Sequence, residues 1–357
     1  MNIIITAPSL DTNINVSGVS SVTNFIIENN SAHNYTHFKL GKSDIDKRGF
    51  FLFFRILKAW ISWGYAMVFR RDVFVHFNFA LDKRSIIRDS PLILFARLRR
   101  KKMVIHLHGG EYLHKEVIPK WISILLRFIF SGNEPKIVLS PIEKKIIVNK
   151  YHAKNVVDLP NSIDIKEARK YIRIYPCEHP VKLLFIGRIV KRKGIEYILQ
   201  ALTILKEREI DFKFILAGTG PDQSEYVNRC YAIFGSAFEF KGVVSGLEKA
   251  ELLKKCDIFL LPSLNGEGLP ISLLECMSFE QVPVVTDDGS MKYIIKTGEN
   301  GIIVEKGSST SLAEAIENLI LNKKFIEKIG KSARQYVFEN HDPVVYINKL
   351  NKIYDNE

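Results

Sequence analysis

The chain has 357 residues, of which 46% are hydrophobic and 25% charged, enough for about two domains of roughly 150 residues each and far from the compositions of disordered or collagen-like chains. Cys177, Cys230, Cys256 and Cys276 have no two members closer than 20 residues, which excludes a paired-cysteine zinc site and a dense disulfide framework and points to a reducing, cytosolic compartment. The net charge of +12 is uneven: residues 1–164 carry 24 Lys and Arg against 13 Asp and Glu, and residues 165–357 carry 27 against 26, so the first half is expected to face something anionic, whether nucleic acid, acidic lipid head groups or a phosphorylated substrate.

In chain order, Met1–Pro8 has no cation ahead of its apolar run, and the run is too short for a signal peptide. It reads as a first buried strand, followed by the turn Val16-Ser17-Gly18-Val19-Ser20. Phe50–Phe69 has about the length of a bilayer span. However, Arg55, Lys58, Ser62 and Tyr65 recur every three to four residues and make a polar stripe, predicting an amphipathic helix that either packs on the first sheet or lies at a membrane interface. Short apolar runs at Ile3–Ile5, Val73–Val75, Met103–Ile105, Lys136–Leu139, Lys182–Ile186, Phe212–Leu216, Ile258–Leu261 and Pro283–Val285 alternate with helical stretches. That alternation predicts βαβ units with parallel sheets covered on both faces. The densest basic cluster, Arg97, Arg99, Arg100, Lys101 and Lys102, precedes the strand that ends at His106, Leu107 and His108. The two histidines share one face by the period of two; no further ligand at metal-site spacing follows, and a buried, backbone-satisfied histidine is the competing reading.

Between Leu159 and Val181 the alternation breaks at Pro160, Pro176 and Pro180. The expected division is residues 1–164, residues 165–335 and a terminal helix, 336–357, packing back towards the first domain. After the break, the strand ending at Ile186 runs into Gly187-Arg188 and then Lys193-Gly194, where ligands bind in open α/β sheets. Two cations beside a helix start can hold a pyrophosphate, although a lysine-rich loop can equally be a solvated face. Downstream, Ser263–Pro270 follows another strand, with Glu267 in the loop, Gly268 and Leu269 offering N–H groups, and Glu275 inside the next helix. Ionised carboxylates there suit the hydroxyls of a sugar or ribose. Asp287-Asp288 reads as a solvated turn.

Gly-Arg at 187–188, Lys-Gly at 193–194, Glu267-Gly268-Leu269-Pro270 and Glu275, supported by Ala217–Pro221, Leu159–Asp164 and Gly298–Val304, occur in the order and spacing of the donor domain of glycosyltransferase family 4, which this chain resembles. The resemblance implies an α/β GT-B fold, two facing Rossmann-like doubly wound domains with the active site in the cleft between them. It implies a retaining, metal-independent glycosyltransferase without cofactor, taking a nucleotide diphosphate sugar as co-substrate. Carried over by position, Arg188 and Lys193 bind the diphosphate, Glu275 the ribose, and Glu267 with Gly268 and Leu269 the transferred sugar. Base recognition would use the backbone near Gly242, Val243 and Val244. In the first domain, Gly18 belongs to the family's glycine-rich loop, with a serine in place of the usual first glycine. His108 matches the histidine at the catalytic site, and Glu111 is assigned to the acceptor. Tyr293, where many relatives have Glu, leaves the donor sugar open. The basic first half and the Phe50–Phe69 segment suggest a lipid-linked glycan acceptor of bacterial surface polysaccharide, such as O-antigen, capsule or lipopolysaccharide, at the inner face of the cell membrane. The alternatives are a sugar-nucleotide epimerase on the same fold and a basic nucleic-acid or membrane binding protein, although no nucleic-acid motif is visible.

Overall fold

The computed structural model describes residues 1–12, 14–41, 50–70, 72–175 and 180–355; Pro176 and Cys177 lie outside the described residues. The chain divides into two compact units, one formed by Met1–Asn161 together with the chain from Val344 on, the other by Ser162–Pro343.

The first unit contains β1 (Asn2–Ala7), β2 (Asn34–Lys39), β3 (Phe74–Phe79), β4 (Met103–Leu107), β5 (Lys136–Val138) and β6 (Val156–Asp158), in the order β2-β1-β3-β4-β5-β6. The second contains β7 (Val181–Ile186), β8 (Phe212–Ala217), β9 (Phe238–Gly242), β10 (Ile258–Leu261), β11 (Val282–Thr286) and β12 (Ile302–Val304), in the order β12-β11-β10-β7-β8-β9. Every strand pair is parallel. Parallel neighbours need crossover helices, which cover both faces, so the central strands are largely apolar. In β3, β4 and β10 every residue is buried.

The helix Phe50–Phe69 packs on the first sheet through Trp63, Ala66 and Met67. Trp63 Nε1 donates to the Leu92 carbonyl at 3.0 Å, and its ring meets Phe38 and Phe77 edge-on at 5.0 and 5.6 Å. The buried stripe is narrow, so the outward face is not the polar stripe that the sequence suggested. Lys58 and Ser62 are exposed, but so are Phe54, Leu57, Ile61, Tyr65 and Val68, with Ile61 and Tyr65 each 66% exposed.

The closing segment is also cut differently from the sequence expectation. Residues 336–340 end the helix Lys323–Asn340, which is held within the second unit by Arg334 on Glu280 at 3.0 Å. Pro343, suited to a helix start, opens a new helix, Pro343–Asp355. This one joins the first unit: Tyr346 packs edge-on against Phe25 at 5.6 Å, Asn30 Nδ2 donates to Asn351 Oδ1 at 2.7 Å, and Tyr354 meets His76 Nδ1 at 2.7 Å.

The carboxyl ends of β7 and β8 come so close that only glycine fits. At Gly218 φ is +128° and an added Cβ would lie 1.8 Å from the Gly187 carbonyl oxygen. Gly218→Ala is therefore expected to cost about 2 kcal/mol or more in urea unfolding, from steric clash and backbone strain together. Gly18→Ala, whose Cβ would meet nothing within 4 Å, is the matched control and should change stability by less than about 1 kcal/mol.

Candidate functional site

In the second sheet β7 and β10 are neighbours whose connections leave in opposite directions, so the topological switch point lies between them. After β7 the chain passes Gly187 and half-buried Arg188, makes one tight turn over Lys191–Lys193, and starts the helix Ile195–Glu207. Gly194, at φ +77°, lets this loop touch the one that follows β10, since a Cβ would stand 2.0 Å from the Pro262 carbonyl oxygen. Leu264 N–H then donates to the Arg192 carbonyl at 2.8 Å.

The two tethered loops bring together Lys193 and Glu267. Lys193 Nζ lies 2.5 Å from Glu267 Oε1, with the side chains 16% and 7% exposed. Ser263 Oγ donates to the same carboxylate oxygen at 2.7 Å. Burial alone would raise the Glu267 pKa, but the Lys193 ammonium and the Ser263 hydroxyl outweigh it and hold the carboxyl below its ordinary value. A second layer fixes the loop: Glu267 N–H donates to Asp288 Oδ2 at 2.9 Å, and Lys306 Nζ meets Asp288 Oδ1 at 3.1 Å. Asp288 is thus no solvated turn. It is 4% exposed and braces the Glu267 backbone, while Asp287 beside it is exposed. Gly289, at φ +57°, completes the close approach, its Cβ position being 2.3 Å from the Glu267 carbonyl oxygen.

The other sequence candidates of this unit take different places. Gly268 is half-buried and its carbonyl accepts from Ser290 N–H at 3.1 Å, whereas the Leu269 side chain is buried in the core. Pro270 stands just ahead of the helix Ile271–Ser278. Glu275 occupies the fifth position of that helix, paired through Oε1 with Lys249 Nζ at 2.5 Å. Val243 follows β9, which β8 separates from β7; two strand spacings of about 4.8 Å keep it apart from the Lys193–Glu267 pair. The sequence reading gives no role to Ser263, Lys306 or Lys249 and takes Asp288 for a solvated turn, although Asp288 carries one signal, its position at the carboxyl end of a strand beside β10.

In the first unit the carboxyl ends of β3 and β4 gather His76, Asn78, His106 and His108. His106 and His108 share a face as expected, their ring centroids 4.2 Å apart. His76 Nε2 meets His106 Nδ1 at 3.1 Å, and His108 Nε2 meets Asn78 Oδ1 at 2.6 Å. Burial pushes His76 and His108 down to about 3, and burial with its two histidine neighbours holds His106 well below its ordinary value, so all three rings are neutral near pH 7. His76 and Asn78 were not singled out from the sequence; their signal was polar residues at a period of two inside the apolar run Phe74–Phe79. Gly18 is exposed at the start of the helix Gly18–Asn29. Glu111 is exposed and pairs with Lys115 at 2.7 Å. Among the described residues no group of three His, Cys, Asp or Glu side chains is arranged to hold a metal ion.

Removing one member of a buried pair leaves the other charge uncompensated, at about 3–5 kcal/mol. Lys193→Ala should lose about that much at pH 7 in urea unfolding, and the double variant Lys193→Ala/Glu267→Gln distinctly less. Because the folded-state pKa of Glu267 is depressed, its stabilising contribution is present above the unfolded carboxylate pKa and is lost as pH falls through the folded value. The gap between wild type and Lys193→Ala should close on acidification below about pH 4.

Residues 169–336 match the family described as glycosyl transferases group 1. An uncharacterized glycosyltransferase of Methanocaldococcus jannaschii is 24% identical over 297 residues, 79% of this chain and 76% of the relative. The N,N'-diacetylbacillosaminyl-diphospho-undecaprenol alpha-1,3-N-acetylgalactosaminyltransferase of Campylobacter jejuni is 28% identical over 173 residues, 48% of this chain and 44% of the relative. Among solved structures, Anabaena HepE in complex with UDP-glucose superimposes with a TM-score of 0.74 over 100% of both chains at 14% identity. The chain has the GT-B fold, and residues 169–336, within its second unit, match the glycosyl transferases group 1 family.

Proposed function

We propose that this glycosyltransferase moves a sugar, with retention of configuration and without a metal, from a nucleotide diphosphate donor to a lipid-linked glycan acceptor of bacterial surface polysaccharide. The observation that carries the reading is the buried Lys193–Glu267 pair at the switch point of the second sheet. An incoming diphosphate competes with Glu267 for Lys193. As Lys193 turns to the phosphate beside Arg188, the Glu267 oxygen it leaves becomes an acceptor for hydroxyls of the transferred sugar. In the transition state the bond from the anomeric carbon to the diphosphate oxygen breaks, and the two cations stabilise the charge that builds on the leaving oxygen. That oxygen takes the proton of the acceptor hydroxyl as the hydroxyl attacks on the same face. Glu275 keeps one carboxylate oxygen on Lys249 and offers the other to the ribose. The UDP-glucose complex of HepE supports a nucleotide-sugar donor, and the undecaprenol-linked substrate in the name of the Campylobacter relative supports a lipid-linked acceptor.

Kinetics test the roles. Lys193→Ala, assayed under conditions where circular dichroism shows it folded, should lose about two to three orders of magnitude in kcat. Glu275→Gln should raise the donor KM with kcat little changed, and Glu267→Gln should lower kcat, because ribose contacts act in the ground state and contacts at the reacting sugar in the transition state. Chelator should leave transfer intact; dependence on Mn²⁺ would overturn the metal-free mechanism.

Membrane contact at the inner face is part of the same proposal, and the first unit supports it with apolar residues as well as charge. The Phe50–Phe69 helix exposes Phe54, Leu57, Ile61 and Tyr65, and the helix Lys120–Phe130 exposes Trp121, Ile124 and Phe128. Both pack against the helix Lys83–Leu98, whose end carries Arg99 and Arg100. No helix among the described residues is long and apolar enough to cross a membrane. A basic residue near an anionic surface contributes about 1 kcal/mol. The wild type should therefore pellet with anionic vesicles at low salt and not with neutral ones. Changing Arg99, Arg100, Lys101 and Lys102 to Gln, or Ile61 and Ile124 to Ser, should release it while transfer to a soluble acceptor analogue persists.

A further inference from the structure

The hydrogen bonds around Asn78 determine which nitrogen of His108 carries the proton. Asn78 Nδ2 lies 2.6 Å from the carbonyl oxygen of Thr6 and 3.0 Å from Thr23 Oγ1. A carbonyl oxygen can only accept, so the amide nitrogen of Asn78 must face Thr6. Thr23 Oγ1 spends its own hydrogen on the Val19 carbonyl at 2.8 Å and is left with lone pairs for the second Nδ2 hydrogen. The Asn78 backbone N–H, bonded to Thr6 Oγ1 at 3.0 Å, holds the residue in place from the other side. With both amide hydrogens committed, Asn78 Oδ1 is the atom turned to His108, 2.6 Å from Nε2. An amide oxygen also only accepts, so His108 Nε2 must donate.

We propose that Asn78 is a positioning residue that locks His108 in the Nε2–H tautomer, so that Nδ1 presents a bare lone pair to the ligand. Burial keeps the ring neutral near pH 7, and the half-buried His108 has no protein partner for Nδ1 among the described residues. A neutral acceptor nitrogen takes a hydroxyl or N–H group; a carboxylate or phosphoryl oxygen, having no hydrogen to give, is rejected. The group that meets His108 is therefore a hydroxyl donor of the sugar substrate and not its phosphate. This last step rests on the function proposed above, whereas the tautomer does not.

The test is a two-bond proton–nitrogen correlation spectrum of the full chain labelled with ¹⁵N-histidine, the His108 signals being assigned from their loss in His108→Gln. The wild type at pH 7 should show the pattern of an Nε2–H imidazole at His108. In Asn78→Ala the pattern should change to a mixture of tautomers. A doubly protonated or Nδ1–H ring in the wild type, or an unchanged Nε2–H pattern in a folded Asn78→Ala, would overturn the proposal. The wild-type spectrum alone decides if Asn78→Ala does not fold. For transfer, Asn78→Ala should lower kcat/KM about tenfold in the wild type and less than about twofold in the His108→Gln background, as expected for two residues acting as one unit. If the tautomer is locked but His108→Gln transfers normally, the positioning by Asn78 stands and the assignment of His108 to the sugar fails.

Discussion

A strand in the middle of a parallel sheet has its backbone groups taken by two neighbours and its two faces covered by crossover helices, and this leaves only its ends for chemistry. Both units obey that constraint. In the first, Asn78 and His108 stand where β3 and β4 finish; in the second, Arg188 and Lys193 follow β7, Glu267 follows β10 and Asp288 follows β11. Candidate groups brought from distant points of the sequence converge because parallel strands deliver all their carboxyl ends to the same edge. The arrangement needs no long excursions of the chain, only loops able to approach one another closely.

That closeness has two physical requirements. One is steric: at Gly194, Gly218 and Gly289 the backbone adopts positive φ and any side chain would collide with a neighbouring carbonyl, so these glycines serve the architecture whatever the ligand. Gly18 differs, having open space where a Cβ would stand; packing gives no reason for a glycine there. The other requirement is electrostatic. Among the described residues of the second unit each buried carboxylate has a cation beside it, Glu267 with Lys193, Asp257 with Arg173, Glu280 with Arg334 and Asp288 with Lys306. Arg173 and Arg334 also donate to main-chain carbonyls, which binds them into the scaffold. Lys193 sits in a short turn at the switch point, and its pair is the one to which the proposed function gives an exchange of partner.

The eight apolar runs visible in the sequence are the eight interior strands, β1, β3, β4 and β5 in one sheet and β7, β8, β10 and β11 in the other. The four not recognised as strands, β2, β6, β9 and β12, are the four edges. An edge strand is covered less completely and needs no continuous apolar run: Asn34–Lys39 has no fully buried residue and Val156–Asp158 none either. The site was legible to a similar depth. Lys193 and Glu267 stand in motifs with distinctive spacing, whereas Asp288 and Lys306 act through partners that lie 21 and 18 residues away in sequence, and no local pattern announces such pairs. His76 and Asn78 were concealed for another reason, since polar residues within a strand are read as its solvent face unless the sheet is known to be covered on both sides.

The helix Pro343–Asp355 returns the chain to the first unit, so Ser162–Pro343 is one uninterrupted stretch set into a unit whose own residues come from both sides of it. In genetic terms the second unit is a cassette. A single continuous segment can be exchanged for its counterpart from a relative with only two junctions, both outside its strands. The first unit has no such freedom. Phe25, Tyr35 and His76 must accommodate Tyr346 and Tyr354, which follow them by some 300 residues, so the stretches on either side of the second unit are constrained to change together.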